Sequence, residues 1–453
     1  MAPWAKRSVV GGALFAAAVV AAVLVVVSEG DTPRPTHRAT TSSTTTSTSP
    51  PAAPPAWHVT WGSAMAWGSG TASNATVRDL ATVATGGQAV RVRVSNLFGN
   101  GPLVVGAASL GASAGGPALV AGTLHPISFG GQPSVTVPVG GLVYSDAVPM
   151  TVSGGETLAI SVFTPASDLV TVHPCCSRIT AYLSPNGGGD LVTSVDGRGL
   201  SIASPWERWV DAVDVLATGA PGSIVVVGDS ITEGFNATIR WTDVLQQRID
   251  TLPTGEQRAV VNEAITANAL TSAVPTDSAT GGGPSGVSRL ARDALDQAGV
   301  SEIVLFLGTN DLWFGATADQ VVAGYQQAIA AAHHAGLPIV GVTLLPRGST
   351  AKEPWSSRQQ AALEQVDHWI LTSGAFDGVL DLSAAVSNVY GGACAPTQLF
   401  PAYDSGDDLH PNAAGQTAMA DAADASVLEL PTLPPVPRLV GTVPTPGCSG
   451  ATG

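Results

Sequence analysis

The spacing of apolar residues divides most of the chain into two regions of different periodicity. From 57 to about 219, short β-prone runs are separated by Gly, Pro, Asn and Ser. In the run 89–94, valines alternate with Arg91 and Arg93, which predicts a strand with one buried and one solvated face. Many such strands at short spacing favour an all-β sandwich of the jelly-roll type.

A second pattern, in which apolar runs alternate with amphipathic segments, begins near residue 220. It predicts strands near 223–227, 259–262, 302–307, 338–344 and 378–382, and helices near 241–250, 287–298, 318–335, 356–373 and 413–428. Strands that alternate with helices in this way form a parallel sheet with helices on both faces. The predicted fold class is therefore an α/β domain preceded by an all-β sandwich domain.

The two ends of the chain have compositions that do not suit a packed core. A basic pair at 6–7 precedes an apolar run from 8 to 27, so we expect 1–29 to be a signal peptide or a retained signal anchor. Thr, Ser and Pro dominate 30–56, which predicts a disordered stalk, and 433–453 is a Pro/Gly-rich tail. The protein is therefore expected outside the cell, either secreted or held at the membrane. The two predicted folded domains span 57–219 and 220–432.

Charge narrows the classes of partner. The chain carries a net charge of -15, and its only lysines are Lys6 and Lys352. An acidic chain without a basic patch is not expected to bind nucleic acid.

Candidate chemistry begins where the apolar run 223–227 ends at Gly228-Asp229-Ser230. The edge of an open α/β sheet is where such folds bind ligands. Taken alone, Asp229 and Ser230 fit ordinary turn and helix-cap positions. Three later segments favour a functional interpretation: Ala-Ile-Thr-Ala-Asn at 264–268, Gly-Thr-Asn-Asp at 308–311 and Asp-Asp-Leu-His-Pro-Asn at 407–412.

Together these segments resemble the SGNH (GDSL) hydrolases, a family of esterases, lipases and acetylesterases with a flavodoxin-like three-layer α/β/α fold. The resemblance covers about 221–430, and the strand-rich segment before it also looks like that of a subset of secreted members. By position, the resemblance implies that Ser230 is the nucleophile, His410 its general base and Asp407 the acid that orients His410. Asp408 is the alternative orienting residue.

The resemblance also implies an oxyanion hole formed by Ser230, Ala267 and Asn310. One signature position departs from the family, because its second-block Gly falls on Ala267 here. An alanine keeps the backbone N–H that would stabilise the oxyanion, so the departure matters only if the backbone there has a positive φ or if substrate must touch it.

Two further groups of residues have two interpretations each. An apolar trio that follows Asn310 would line an acyl pocket or plug a loop: Leu312, Trp313 and Phe314. Tryptophans in the strand-rich segment would bind carbohydrate if exposed, or pack in its core: Trp61, Trp67, Trp206 and Trp209. Core packing is the favoured interpretation of the tryptophans.

The four cysteines are Cys175, Cys176, Cys394 and Cys448, an even number in a chain that is expected to be exported. The sequence alone allows three full pairings, and the adjacent pair would form a strained ring if bonded to itself. We favour a disulfide between Cys394 and Cys448, because both lie in Gly/Pro-rich loops and their bond would pin the tail. His173 lies beside two cysteines, but no second ligand cluster accompanies it, so we expect no metal.

The expected function is that of an exported serine esterase that hydrolyses carboxylic esters through an acyl-enzyme at Ser230, without a cofactor. Acetylated polysaccharides, lipids and small esters are the expected substrates, and the β domain would contact cell wall or glycan. Two alternatives stay open. One is a non-catalytic wall- or carbohydrate-binding protein with a decayed hydrolase domain, suggested by Ala264 and Ala267. The other is an acyltransferase that passes the acyl group to a sugar hydroxyl.

Overall fold

The computed structural model describes residues 54–174, 178–271, 282–347, 354–387, 398–423, 425 and 427–430. The predictions for the export segment, for most of the stalk, for the tail and for all four cysteines lie outside these residues. Among the helices within the described ranges, none is long and apolar enough to cross a bilayer.

The first part of the described chain, which we call the strand-rich region, consists of antiparallel strands joined by turns. Its strands are β1 Pro55–Gly62, β2 Trp67–Gly68, β3 Ala72–Thr82, β4 Ala89–Ser95, β5 Leu103–Val105, β6 Ala107–Gly115, β7 Ala118–Leu119, β8 His125–Pro126, β9 Val135–Val137, β10 Leu142–Tyr144, β11 Thr157–Ser167, β12 Thr171–Pro174, β13 Ala181–Leu183, β14 Ile202–Ser204, β15 Trp206–Arg208 and β16 Val210–Thr218. The first strand begins inside the segment predicted as stalk.

Two larger sheets of this region share one hydrophobic core. Their strand orders are β1-β16-β4-β10 and β14-β13-β3-β11-β6-β7, while β15-β12-β2 forms a smaller third sheet. Valines of β4 and β16 pack with Leu158 and Ile160 of β11, so apolar side chains of both sheets meet in the same layer. This arrangement is the predicted sandwich.

The alternation in β4 was interpreted correctly for its valines but not for both arginines. Arg91 keeps 24% of its side-chain surface exposed, as a solvated face requires. Arg93 was expected there too, yet it is only 3% exposed and pairs with Asp211 at 2.7 Å. Its Nη1 also donates to the carbonyl of Arg292 in the later part of the chain. The prediction for Arg93 is wrong because another part of the protein covers this face.

The tryptophans of the strand-rich region are packing residues. Trp209 is fully buried in the sandwich core. Trp61, Trp67 and Trp206 are partly buried against the same core.

The second part, which we call the α/β region, follows without interruption. Its strands are β17 Ser223–Gly228, β18 Ala259–Asn262, β19 Val300–Phe306, β20 Ile339–Val342 and β21 Gly378–Leu380. Its α-helices are α1 Ser230–Glu233, α2 Trp241–Ile249, α3 Gly286–Leu290, α4 Thr309–Trp313, α5 Ala318–His334, α6 Ser357–Thr372, α7 Leu382–Val386 and α8 Ala413–Ala422. A 3₁₀ turn spans Thr254–Glu256, and a π-helical turn, Ala291–Leu295, continues α3.

The five strands of the α/β region form one parallel sheet in the order β18-β17-β19-β20-β21. In chain order this is 2-1-3-4-5, the flavodoxin-like order, whose switch point lies between the first and third strands. Along β17, Val225 and Val227 pack with α5 and α6 on one face, whereas Ile224 and Val226 pack with α2 and α8 on the other. The predicted α/β fold class, with helices on both faces of the sheet, is confirmed.

Short helices and one helix end differ from the sequence prediction. The one-turn helices α1, α4 and α7 fall in segments without room for a periodic apolar pattern. The last helix was expected over 413–428, but α8 ends at Ala422, and Ala423 has an extended conformation. Leu428, the last residue of the predicted helix, still packs into the core, so its burial was mistaken for helical periodicity.

The strand-rich and α/β regions share buried surface. Val59 of β1 and Ala212 of β16 lie in the hydrophobic cluster that covers one face of the parallel sheet. The Val59 N–H donates to the carbonyl of Ala298 at 2.8 Å, and the hydroxyl of Ser223 donates to the Val59 carbonyl at 2.5 Å. Strand β1 therefore covers the edge strand β18 and completes the core of the α/β region.

We predict that a fragment starting at residue 220 does not fold cooperatively, because it leaves that core open and the Ser223 hydroxyl buried without its acceptor. Circular dichroism during thermal unfolding would measure this. A 54–453 fragment, which keeps β1, is the matched control and should unfold cooperatively. A sharp transition of the 220–453 fragment within a few degrees of the control would contradict the prediction.

Candidate active site

Ser230 lies where β17 ends at the switch point of the sheet. The strand is buried along its whole length through Gly228, and Asp229 then caps α1 by accepting from the Ile231 N–H at 3.0 Å. Ser230 is the first residue of this helix. Gly234, with φ 79°, ends the helix after a single turn, a conformation that favours glycine. The hydroxyl of Ser230 is therefore held on a short helix that is anchored at both ends.

His410 and Asp407 form a continuous hydrogen-bonded chain with Ser230. Ser230 Oγ lies 2.8 Å from His410 Nε2, and His410 Nδ1 lies 2.7 Å from Asp407 Oδ2. Because an ionised carboxylate only accepts, Nδ1 carries the ring hydrogen and Nε2 is left to accept from the serine. This is the order of groups that activates a serine hydroxyl.

The turn before α8 fixes Asp407. Its Oδ1 accepts from the backbone N–H groups of His410 at 2.8 Å and Leu409 at 3.1 Å. Burial opposes ionisation, but the hydrogen bonds from the His410 ring and backbone outweigh it and hold the pKa of Asp407 well below its usual range. Asp408, the alternative orienting residue, instead occupies the turn with φ 59°.

Two further residues build this turn, and the sequence suggested a helix-cap role for only one of them. Asp404 Oδ1 accepts from the backbone N–H groups of Asp407 and Asp408 at 3.3 and 3.0 Å. Asn412 caps α8 through Oδ1 and donates Nδ2 to the carbonyl of Asp404 at 2.9 Å. The Asn at the end of the motif was a recognisable cap signal, whereas nothing in the sequence marked Asp404.

Ala267 lies in the loop after β18 with φ 58°, in the left-handed region that favours glycine. This explains in backbone terms why a glycine suits this position in the family. Within the described residues, its N–H donates to no backbone carbonyl. The N–H of Ser230 is likewise one of the unpaired donors of a helix start.

Asn310 is the first-turn residue of α4, just beyond β19. Its Nδ2 donates to the carbonyl of Asn268 at 2.9 Å and to Asp229 Oδ2 at 3.3 Å. Both amide hydrogens are thus directed within the loops around Ser230, and the bond to Asp229 is the longer of the two. Burial of Asp229 raises its pKa to about 7, although the hydrogen bond from the Ile231 N–H opposes this shift.

Two further buried side chains that sequence reasoning missed hold these loops together. Arg289 of α3 is fully buried and donates to the Gly228 carbonyl at 3.0 Å and to Asn268 Oδ1 at 3.0 Å. Asp311 accepts from the backbone N–H groups of Leu270 at 2.7 Å and Thr271 at 2.9 Å. Asp311 ends the Gly-x-Asn-Asp motif, so its motif position was a signal, whereas Arg289 carried none.

The apolar trio after Asn310 separates in the structure. Leu312 is fully buried in the core, so its side chain is a packing residue. Trp313 is partly buried and stacks on Trp355 at a centroid distance of 6.5 Å. Phe314 is 40% exposed. Phe235, which the sequence did not single out, is 36% exposed, and its ring lies 4.8 Å from that of His410.

Among the residues that the structure describes, no group of three His, Cys, Asp or Glu side chains has an arrangement that would hold a metal ion. Nε2 of His173 instead lies 3.3 Å from Oε1 of Glu233 in the α/β region.

One segment of the chain matches a known protein family. Residues 226–418 match the model of the GDSL-like Lipase/Acylhydrolase family. No curated protein matches the chain. Solved structures similar to it include a GDSL-like lipase from Bacteroides thetaiotaomicron, which is 14% identical, with 46% of this chain and 88% of that chain covered and a TM-score of 0.34. Another is Axe2, an acetylxylan esterase from Geobacillus stearothermophilus, which is 17% identical, with 45% and 93% covered and a TM-score of 0.34.

The matched segment contains Ser230, Ala267, Asn310, Asp407 and His410. The family match, rather than the similarity to individual structures, confirms the resemblance to the SGNH (GDSL) hydrolases. Residues 226–418 therefore form a GDSL-like lipase/acylhydrolase domain, the domain of an enzyme that hydrolyses carboxylic esters.

Proposed function

We propose that this protein is an exported serine esterase that forms an acyl-enzyme at Ser230. The observation that carries the proposal is the continuous hydrogen-bonded chain from Ser230 Oγ through His410 to Asp407, at 2.8 and 2.7 Å. This geometry also argues against a decayed hydrolase domain. A domain that is no longer selected for activity has no reason to keep the serine, histidine and aspartate within hydrogen-bonding distance of one another.

In the acylation step, Ser230 Oγ attacks the ester carbonyl while its proton passes to His410 Nε2. The imidazolium that forms is stabilised by Asp407, whose lowered pKa keeps it ionised through the pH range in which the enzyme works. His410 then returns the proton to the departing alkoxide. In the second step, water attacks the acyl-enzyme while His410 Nε2 takes its proton. The bond to Ser230 Oγ then breaks, His410 returns the proton to Oγ, and the acid is released.

The oxyanion of the tetrahedral intermediate would receive hydrogen bonds from the N–H groups of Ser230 and Ala267 and from the Asn310 amide. Asn310 keeps its shorter bond to the Asn268 carbonyl and redirects the hydrogen that now points to Asp229 at 3.3 Å. The two backbone donors are held by the protein before substrate arrives and need little rearrangement, which is the basis of oxyanion stabilisation.

Acetylated glycans, lipids and small esters are the proposed substrates. Phe235 beside His410 and Phe314 beyond Asn310 offer exposed apolar surface for an acyl chain, and Trp313 is the third candidate for such a pocket. Turnover of acetyl, butyryl and octanoyl esters by the full chain, together with release of acetate from an acetylated polysaccharide, would separate these classes. Analysis of the products with a sugar acceptor present would distinguish a hydrolase from an acyltransferase.

We predict that Ser230→Ala reduces ester hydrolysis to background and abolishes labelling by a fluorophosphonate. Its thermal midpoint should stay within a few degrees of wild type, because one hydroxyl adds little to stability. Ser357→Ala, which removes an exposed hydroxyl from α6, is the matched control and should behave as wild type. Persistent hydrolysis by the Ser230→Ala variant would contradict a serine nucleophile.

Asn310→Ala should lower kcat by about 10²–10³, because removal of one side-chain donor from an oxyanion hole has this effect in other hydrolases. The ground-state ester makes little use of this donor, so KM should change far less than kcat. Steady-state kinetics with one soluble ester would measure both. A kcat within a few-fold of wild type would exclude Asn310 from the oxyanion hole.

Ala267→Gly should leave stability unchanged or raise it by up to about 1.5 kcal/mol. Glycine relieves a left-handed conformation that costs an L-residue about 1–2 kcal/mol, while its flexibility in the unfolded chain costs about 0.5–1 kcal/mol. Since the backbone donor is kept, kcat should change less than about tenfold. Urea unfolding and steady-state kinetics would measure the two effects.

Ala269→Gly is the matched control for this variant, because it lies in the same loop without a positive φ and should only lose stability. A larger loss of stability in Ala267→Gly than in the control would contradict the strain argument. If wild type were inert and Ala267→Gly active, the decayed-enzyme alternative would replace the proposed function.

A further inference from the structure

A buried polar side chain of the strand-rich region reaches the helix that carries Ser230. His173 of β12 is 6% exposed, and its Nδ1 lies 2.7 Å from the carbonyl oxygen of Ala64. Its Nε2 lies 3.3 Å from Glu233 Oε1, at the end of α1. Since a carbonyl oxygen only accepts, Nδ1 carries a hydrogen, and a second hydrogen on Nε2 makes His173 an imidazolium that faces the Glu233 carboxylate.

Electrostatics supports this protonation state. Burial disfavours the charged ring, but the hydrogen bond and charge of Glu233 outweigh it and raise the pKa of His173 to about 9. Glu207, opposite His173 on the neighbouring strand β15, adds to this effect. Burial raises the pKa of Glu207 itself, and the charge of His173 opposes that rise. The cation at His173 thus faces two buried carboxyl groups.

Glu233 also contacts the loop that contains Ala267. Glu233 is 2% exposed, and its Oε2 accepts from the hydroxyl of Thr266 at 2.5 Å. Thr266 immediately precedes Ala267, so its side chain fixes the peptide unit whose N–H the proposed mechanism directs at the oxyanion. Glu233 is itself three residues beyond Ser230 on the one-turn helix. Glu233 therefore links the loop of Ala267 to the one-turn helix that begins at Ser230.

We infer that His173 is a positioning residue of the esterase: through Glu233 and Thr266 it orients the backbone donors of Ser230 and Ala267. The inference rests on the proposed function. Without the cation, Glu233 would lose the opposite charge that faces its Oε1, and a buried carboxylate whose opposite charge is removed shifts from its position. Such a shift weakens its hold on Thr266.

This role would affect the transition state rather than substrate binding, because the oxyanion forms only after attack. We expect His173→Gln and Glu233→Gln to lower kcat by about 10–10², less than the full loss of one donor, which costs about 10²–10³. KM should stay within about threefold of wild type. The double variant should be no slower than the slower single variant, because both changes break the same contact.

The pH dependence supplies an independent readout. Because the pKa of His173 in the folded protein lies above its ordinary value of 6.5, the ion pair is complete below that value and is lost as pH rises through about 9. Besides Glu233 and Glu207, the charged side chains beside the end of α1 are Arg240 and Arg178, which both pair with Asp243, at 2.7 and 3.2 Å. The kcat of wild type should therefore fall above about pH 9, and this fall should be absent from His173→Gln.

The experiment uses the full chain, with kcat and KM expressed per active site titrated by a fluorophosphonate. Thr266→Ser, which keeps the hydroxyl, should match wild type, whereas Thr266→Val should match His173→Gln. His125→Gln is the matched control, because His125 belongs to the strand-rich region outside this contact and should leave every parameter unchanged. If His173→Gln does not fold, the Thr266 pair carries the test.

Each outcome decides between a positioning and a purely structural role. A lower thermal midpoint of His173→Gln with unchanged kcat per titrated site would overturn the inference, as would equal kcat values for Thr266→Ser and Thr266→Val. An inert, unlabelled wild type would overturn the proposed function and the inference with it. An active wild type with indifferent His173 and Thr266 variants would overturn the inference alone.

Discussion

Polar groups meet at the carboxyl edge of a buried parallel sheet, and each needs a hydrogen-bond partner there because water is excluded. Arg289 meets much of this requirement, since one guanidinium reaches the carbonyl of Gly228 and the side chain of Asn268. Asn268 in turn accepts from the Asn310 amide. The loops after β17, β18 and β19 are thereby tied to one another, and Ser230 lies within the frame that they form.

The strand-rich region is part of this frame. Asp293 accepts from both Arg289 and Arg292, and Arg292 donates to the carbonyl of Met65 at 2.9 Å. His173 and Glu233 form a second buried contact between the two regions. Removing one partner from a buried ion pair typically costs about 3–5 kcal/mol, so the two regions depend on each other for stability. Through these contacts, the strand-rich region supports the elements that carry the loops around Ser230.

Sequence periodicity predicted strands and helices well where the apolar residues follow one regular spacing along the whole element. Strand β18 was predicted with its observed bounds, and α5 and α6 were predicted to within a residue or two, because both have capping boxes and apolar stripes. The one-turn helices α1 and α4 were not predicted, since four or five residues contain no periodic signal. Arg93 was assigned to solvent because alternation along a strand does not reveal what packs on its second face.

The sequence by itself determined the fold class, the order of the parallel strands along the chain, and the short motifs that contain Ser230, Asn310 and His410. These features are local, and a turn residue after a strand follows from backbone preferences alone. Only the tertiary structure decided that Asn310 points to Asp229 and that His173 reaches Glu233. Such contacts join residues far apart in the chain, and their partners follow from how two buried surfaces meet, which no local pattern records.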